Sequence, residues 1–322
     1  MNPSNTPPTP DRERDLAPSL QSLQTGAEAE EALTKASLTG KRRARRRALS
    51  ISGSVGLVIV GFWLLMVVVG PWVSPYEANS LVSDEVFGPL SWQFPLGTDY
   101  LGRDILSRVL NGAPYTIGVA LAGTALACLL GTVLGLVGAA AGGGTAAGRW
   151  IDEVMSRTMD ALIAIPNKLF ALIMVASFGS SVPMLILMAA LAYMPGSYRI
   201  VRSLAVNVMT LDYIQAARAR GEAMPYIIFS EALPNIFRPV LTDFGLRFVY
   251  VVLLLAAMSF LGLGVQPPDA DWGSLVRENI LGLGEGAPAV LAPAVAIATL
   301  TIGVNLLIDG LGGRVRRERE GV

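Results

Sequence analysis

The sequence predicts an all-α membrane protein with six transmembrane helices and both termini on the inner side. Three observations lead there. Apolar residues occupy 52% of the 322 positions, and the mean hydropathy is +0.52, which places the chain among membrane proteins. Six apolar stretches, at 51–72, 114–140, 158–178, 182–195, 241–265 and 287–308, approach or exceed the length of a bilayer crossing, about 20 residues. The fourth is short and must borrow from Tyr198 or from the Ser180-Ser181 turn. Basic residues divide unevenly between the connections. The outer ones hold only Arg103, Arg108 and Arg277. The inner ones hold the run KRRARRR at 41–47, Arg149, Arg157, Arg199, Arg202, Arg218, Arg220, Arg238 and the tail Arg314, Arg316, Arg317 and Arg319. The side richer in Lys and Arg is the cytoplasmic one.

Composition also excludes chemistry. There is no histidine, so the usual acid/base group and commonest metal ligand are missing. The single Cys128 lies in an apolar run, where a free buried thiol is expected. Gly40-Lys41 is not a P-loop, because the upstream glycine is absent and Arg42 follows the lysine. Residues 1–40 are rich in Pro, Ser, Thr and acids, which predicts a disordered tail. The 41–47 run then reads as a cytoplasmic anchor to membrane lipid rather than a nucleic-acid patch. The expected division is a tail with a basic anchor at 1–47, the first transmembrane helix at 48–72 and an outer segment at 73–113. A core at 114–313 and a cytoplasmic tail at 314–322 follow.

In the outer segment, Gly97-Thr98-Asp99 predicts a turn and Leu101 the start of a short helix. Leu101, Ile105 and Val109 share one apolar face of it, and Asp104 and Arg108 are spaced to pair, so an interfacial surface helix is expected. The second span carries Gly131-x-x-x-Gly135, a spacing for close helix packing, more simply within the chain than in a dimer. Gly142-Gly143-Gly144 ends that span, and 145–157 reads as an amphipathic inner helix. Between the fourth and fifth spans lies a polar segment of two short helical runs, at 212–220 and 225–232. They meet at Gly221, where glycine allows a left-handed turn. Pro225 suits the first turn of the second run and keeps Met224 out of the helix. Leu233-Pro234-Asn235 is expected to stop that run. An amphipathic helix on the membrane surface remains the plain alternative.

Four separated segments resemble one family. FPLGTDYLGRDILSRVLNGA, MDALIAIP at 159–166, AARARG with the later LPN, and SFLGLGVQPPDADWG at 259–273 are similar to motifs of the second ("C") permease of dipeptide/oligopeptide-type ABC importers. The resemblance covers roughly 90–313. It implies the type I importer permease fold, a five-helix core with the first span wrapping a partner permease. It also implies that the 212–235 loop docks on an ATPase, with Gln215, Ala216, Ala217, Arg218, Arg220, Gly221, Glu222, Ala223, Leu233, Pro234 and Asn235 as coupling residues. Gly97, Thr98, Asp99, Gly102, Arg103, Asp104, Arg108, Gln266 and Trp272 become candidates for contact with a binding protein at the outer face. Departures from the family pattern are Gln215 for a Glu, Ala223 for a capping Ser, Pro114 for an Arg, and Leu255 for a Glu. Asp243 and Arg247 stand where Gln and Gly are common, and Lys168 where a small or apolar residue is usual.

Charge inside a membrane is costly, at least about 2.5–3.5 kcal/mol at the bilayer centre, so such side chains should face protein or water. Asp243 and Arg247 share a helix face. Either they pair and hold helices together, or they line the pathway with Asp160, Pro166 and Lys168. The function expected is a gated half-pore with no catalysis of its own. The implied partners are a second homologous permease, two ABC ATPases and an extracytoplasmic substrate-binding protein. No cofactor is expected on this chain, with ATP and Mg on the ATPases. Peptides are the expected solute. A nickel chelate, glutathione, an opine or an oligosaccharide is the alternative. A secondary transporter, a membrane enzyme and an assembly protein are the rivals from other classes.

Overall fold

The computed structural model describes residues 50–285 and 288–319; the tail and basic anchor expected at 1–47 lie outside the described residues. Helices dominate. α1 (Ile51–Val73) starts at Ser50, whose Oγ accepts from the Gly53 amide. α2 (Ile105–Gly142) and α3 (Ala146–Ala164) begin in the same way, at Asp104 and Thr145. α4 (Asn167–Phe178), α5 (Val182–Met209) and α6 (Asp212–Ala219) follow. α7 (Met224–Phe260), α8 (Trp272–Glu278), a 3₁₀ turn (Ile280–Glu285) and α9 (Pro288–Arg319) complete the order. Five of these, α1, α2, α5, α7 and the Pro288–Gly310 part of α9, are long and apolar enough to cross a membrane. The bent α3–α4 pair is long and apolar enough to make a sixth if its two pieces are one span.

Several expectations change. The third crossing does not run straight from 158 to 178. α3 and α4 are bent by 87° because Pro166 holds Ile165 extended, at φ −81 and ψ 123. The fourth crossing is the full 28 residues of α5 and carries Pro195 inside it. No separate surface helix starts at Leu101. The chain enters α2 at Ile105 and runs through Pro114 without a break. Pro114 leaves the Leu110 carbonyl without its helical donor, and the Gly70 backbone lies against that oxygen. Finally, the tail expected from 314 continues α9 as far as Arg319.

α2 is the central helix and packs most extensively along α5. A Cβ at Gly131 would lie 2.6 Å from the Ser197 Cβ, and one at Gly135 would lie 2.9 Å from the Tyr198 carbonyl. The Gly131-x-x-x-Gly135 stripe is therefore an internal seam. α1 lies along α9 of its own chain: a Cβ at Gly56 would lie 2.4 Å from the Leu307 amide, and one at Gly310 would lie 2.4 Å from the Gly53 Cα. The expected wrapping around a partner is thus preceded by an anchorage at home, and the rest of the α1 surface is exposed. The largest apolar core unites α2, α5, α7, α8 and α9, including Ile117, Met188, Val252 and Trp272. A second cluster joins the inner ends of α2 and α5 to α6 and the start of α7.

Candidate functional site

The polar segment after α5 folds as a hairpin. Ile214 and Ala217, one turn apart on α6, are fully buried. They pack with Leu136, Ala139, Val201, Ala205 and Met209 and with Ile227, Ala232 and Ile236. The hairpin is therefore seated on the ends of α2 and α5, not hung loosely from them. Ala217 is small because it is inside this cluster, whereas Ala216 is exposed. Gln215 caps the end of α5, its Nε2 donating to the Met209 carbonyl at 3.2 Å. Arg218 is half-buried against Met209, with a buried Nε that finds no acceptor. Arg220 is exposed and lies 3.7 Å from Glu222.

Gly221 closes α6 with φ +80. Its amide donates to the Arg218 carbonyl at 3.0 Å and the Glu222 amide to the Ala217 carbonyl at 3.2 Å. This 5→2 and 6→1 pair is a Schellman motif, which satisfies the last carbonyls of α6. Ala223 caps α7 with backbone only, and Met224, not kept out by Pro225, is its first residue. The second run does not stop at Leu233-Pro234-Asn235. Instead Ile227–Ala232 is a π segment, in which the Leu233 amide reaches back to the Ile228 carbonyl. Pro234 has no N–H to continue an α ladder, and the wider π turn carries the helix past it. Pro234 and Asn235 lie exposed on that helix, and Asn235 Nδ2 donates to the Glu231 carbonyl at 2.6 Å. The hairpin's second arm is thus the opening of a 37-residue helix. Tyr213, Met224, Tyr226 and Phe229 are exposed apolar groups on the hairpin.

The charges of the crossings separate into two groups. Asp243 and Arg247 are buried and paired at 2.6 Å, and Arg247 Nη1 donates to the Tyr193 carbonyl at 3.1 Å, two residues before Pro195. A Cβ at Gly196 would lie 2.8 Å from Arg247 Nη1. These two residues are buried between α5 and α7, and the pair ties the two helices together. Asp160 and Lys168 are exposed, as is Pro166. Asp160 pairs with Arg199 at 2.7 Å, and Asp152 holds Arg202 through two contacts of 2.5 and 2.6 Å. These two links between α3 and α5 were not foreseen, since nothing in the spacing of the four residues marks them.

At the other end, the two most specific motifs lock together. Asp99 Oδ1 accepts from the amides of Leu101 and Arg103, and Oδ2 from Arg103 Nε at 2.6 Å and Arg108 Nη1 at 2.9 Å. Glu278 of α8 accepts from both arginines, at 3.1 and 2.7 Å. Arg108 does not pair with Asp104, which instead caps α2 through Ser107. Thr98 Oγ1 ties Gly88 to Glu85, and Gly97 and Gly102 turn the backbone at φ +75 and +76. Trp272 is fully buried, donates from its amide to Thr116 Oγ1 and from Nε1 to the Val109 carbonyl, and meets Trp63 edge-on at 4.7 Å. Asp271 caps α8 and binds Ser259; its burial pushes the carboxyl above the usual range, against the hydrogen bonds from Ser259 and Ser274. Of the outer contact candidates, Thr98, Asp99, Gly102, Arg103, Asp104, Arg108 and Trp272 are therefore buried in the chain itself, and Gln266 is exposed. Their side chains shape the outer surface without forming it. Glu278, Trp63 and Asn279, whose Oδ1 accepts from the Tyr100 amide at 3.1 Å, are the lock members that sequence reasoning missed. A cleft of about 330 Å³ beside the lock is lined by residues including Asn79, Arg108, Asn111, Tyr115 and Asp269.

Comparison with known proteins gives the same family from two directions. A model of the binding-protein-dependent transport system inner membrane component matches residues 131–317. A protein of Brucella suis biovar 1 (strain 1330), provisionally named a peptide transport system permease, is 34% identical over 274 residues, 85% of this chain and 89% of its own. A dipeptide transport system permease of Alkalihalophilus pseudofirmus is 33% identical over 258 residues, covering 80% and 83%. A glutathione transport system permease of Pectobacterium atrosepticum is 31% identical over 257 residues, covering 79% and 81%. The chain belongs to the family of binding-protein-dependent transport system inner membrane components.

Proposed function

We propose that the chain is one of two homologous permeases of an ATP-driven importer of peptides or peptide-like solutes. The observation that carries this is the seated hairpin, a helix-turn-helix with exposed Tyr213, Met224, Tyr226 and Phe229 whose second arm is continuous with a membrane crossing. Helix-in-groove docking uses such apolar anchors. An ATPase dimer offers two grooves and this chain one hairpin, so a second permease completes the pair. The hairpin lies on the inner side by the distribution of basic residues. ATP and Mg belong to the ATPases, which bind one spacing of the two hairpins better than the other and so shift the membrane helices between states. A binding protein delivers solute to the outer face, where the cleft beside the Asp99–Arg108–Glu278 lock opens a surface for it.

The peptide reading rests on the relatives named for peptide and dipeptide transport, while the relative named for glutathione transport corresponds to the alternative solute class. The test is purification of the full chain from its own membrane, followed by uptake in proteoliposomes. A second permease and an ATPase should co-purify, and uptake of labelled tripeptides should need ATP and the binding protein. Uptake by this chain with no ATPase present would refute the assignment.

A further inference from the structure

Beside the outer lock, the cleft of about 330 Å³ joins a concentrated donor to a surplus of acceptors. It lies between the end of α1, the outer segment, α2 and the loop before α8, and its size is at the lower end of pockets that hold small molecules. Asn79 Nδ2 donates to the Pro268 carbonyl at 2.8 Å, and Asn111 Nδ2 to Ser74 Oγ at 3.0 Å and to the Ser107 carbonyl at 2.8 Å. Neither amide oxygen accepts a hydrogen bond among the described residues. Asp269 is exposed at the cleft and makes no ion pair among the described residues. Pro71, Pro114 and Pro268 have no N–H to offer the cleft. Arg108, 3% exposed, donates only through Nη1, to Asp99 and Glu278. Its Nε finds no acceptor in the fold, so the guanidinium keeps donors to spare.

These groups select a ligand by its chemistry. Asp99 and Glu278 already offset the charges of Arg103 and Arg108. What Arg108 has left to give is hydrogen bonds, which suit a neutral carbonyl. The uncompensated charge at the cleft is negative, at Asp269, and it disfavours a phosphate or carboxylate there. A primary ammonium carries three donors and one positive charge. It finds the Asp269 carboxylate together with the open amide oxygens of Asn79 and Asn111. An ammonium followed closely by a peptide carbonyl is the beginning of a peptide. We propose that this cleft is a binding site for the amino-terminal end of a peptide-like solute, with the ammonium at Asp269, Asn79 and Asn111 and the first carbonyl at Arg108. This rests on the transport reading above and deepens it by naming which end of the solute the outer face holds.

The test uses the complex of both permeases and the ATPases in nanodiscs, with Ala78→Cys as a reporter at the cleft wall in a Cys128→Ser background. Ala-Ala-Ala and the minimal probe alaninamide should slow the reaction of this thiol with sulfonatoethyl methanethiosulfonate. Their N-acetylated forms, which lack the ammonium, should not. Adding Asp269→Asn, on an exposed side chain with no ion pair to break, should raise the concentration needed for half protection about tenfold, the loss of one charge-assisted hydrogen bond. Equal protection by the acetylated and free forms overturns the inference, and so does protection unchanged by Asp269→Asn. Protection by the binding protein alone, with none by either probe, gives the cleft to that protein and overturns it too. The transport reading is judged separately, by uptake of Ala-Ala-Ala with ATP and the binding protein in proteoliposomes. Uptake without protection removes the site and leaves that reading. Protection by alaninamide without uptake of any tripeptide removes the peptide assignment and leaves the ammonium site standing.

Discussion

Gly221→Val is the most informative perturbation of the hairpin. Position 221 has φ +80, and a Cβ built there meets nothing within 4 Å. The cost of a side chain is therefore purely conformational. A left-handed backbone costs an ordinary L-residue about 1–2 kcal/mol, and β-branching puts valine at the upper end. Escape from that strain releases the Gly221 and Glu222 amides from the carbonyls of Arg218 and Ala217, so the two arms lose their fixed angle. A penalty near 1.4 kcal/mol changes the population of the native hairpin about tenfold. Most of the buried cluster around Ile214 and Ala217 survives, so the complex should still assemble. In proteoliposomes the expected result is ATP hydrolysis close to normal with solute uptake per ATP reduced severalfold. Gly221→Asn is the control, because asparagine tolerates this backbone region, and it should transport nearly as wild type. Wild-type uptake per ATP in Gly221→Val, with the protein folded and assembled, would refute the idea that the turn holds a working angle.

Three further outcomes follow from the pairs and caps. Arg247→Leu alone should destabilise the chain by about 3–5 kcal/mol, because it leaves Asp243 buried and unpaired, whereas the Asp243→Leu/Arg247→Leu double variant should recover most of that loss; thermal unfolding in detergent measures both, and unaltered solute selectivity in the double variant checks that the pair is a brace. Trp272→Ala should cost about 3–5 kcal/mol and loosen the outer segment, which limited proteolysis of 73–104 would report. Asp271 has a raised carboxyl pKa in the fold, so its protonated form is favoured there, and its contribution to stability falls as pH rises through that value. Asp271→Asn keeps an acceptor for the Ser274 amide, so it should flatten this pH dependence without lowering stability at neutral pH, while Asp271→Ala should lose about 1 kcal/mol of capping.

What the sequence makes legible is local or periodic. The long apolar runs, the left-handed turn at Gly221 and the small-residue seam at Gly131 and Gly135 each follow from rules that act within a few residues. The continuity of α7 did not, because Pro234 reads as a stop unless the preceding turn widens, and a π turn leaves no composition signal. The size of the α3–α4 bend was equally hidden, since Pro166 announces a break but not its angle. Among site residues, Asp99 and Arg108 were found by motif, but Arg108 was matched to Asp104 and Asp99 to no partner. Their partner Glu278 lies 170 residues beyond Arg108, and no local pattern links them. Motif recognition located the lock, and only the fold could say that it faces inward.

The connection between the two ends of the molecule is a matter of rigid lengths. α6 is joined to α5 through the short link at Thr210 and Leu211 and is packed against its end through Ile214 and Ala217. The second arm is the start of a helix of 37 residues, about 55 Å long. That helix ends at Leu261 in a second Schellman turn, where the Gly262 amide bonds the Ser259 carbonyl and the Leu263 amide the Met258 carbonyl. Just beyond, Asp271 binds Ser259 and Trp272 is clamped to Thr116 and Val109 of α2. The helix that opens in the hairpin therefore ends where α7, α8 and the start of α2 meet. Along the way the Asp243–Arg247 pair fastens α7 to α5 at the Tyr193 carbonyl. The buried charges and the outer motifs then share one physical effect, since between them they tie α7 to α5 along its length and to α8 and α2 at its end.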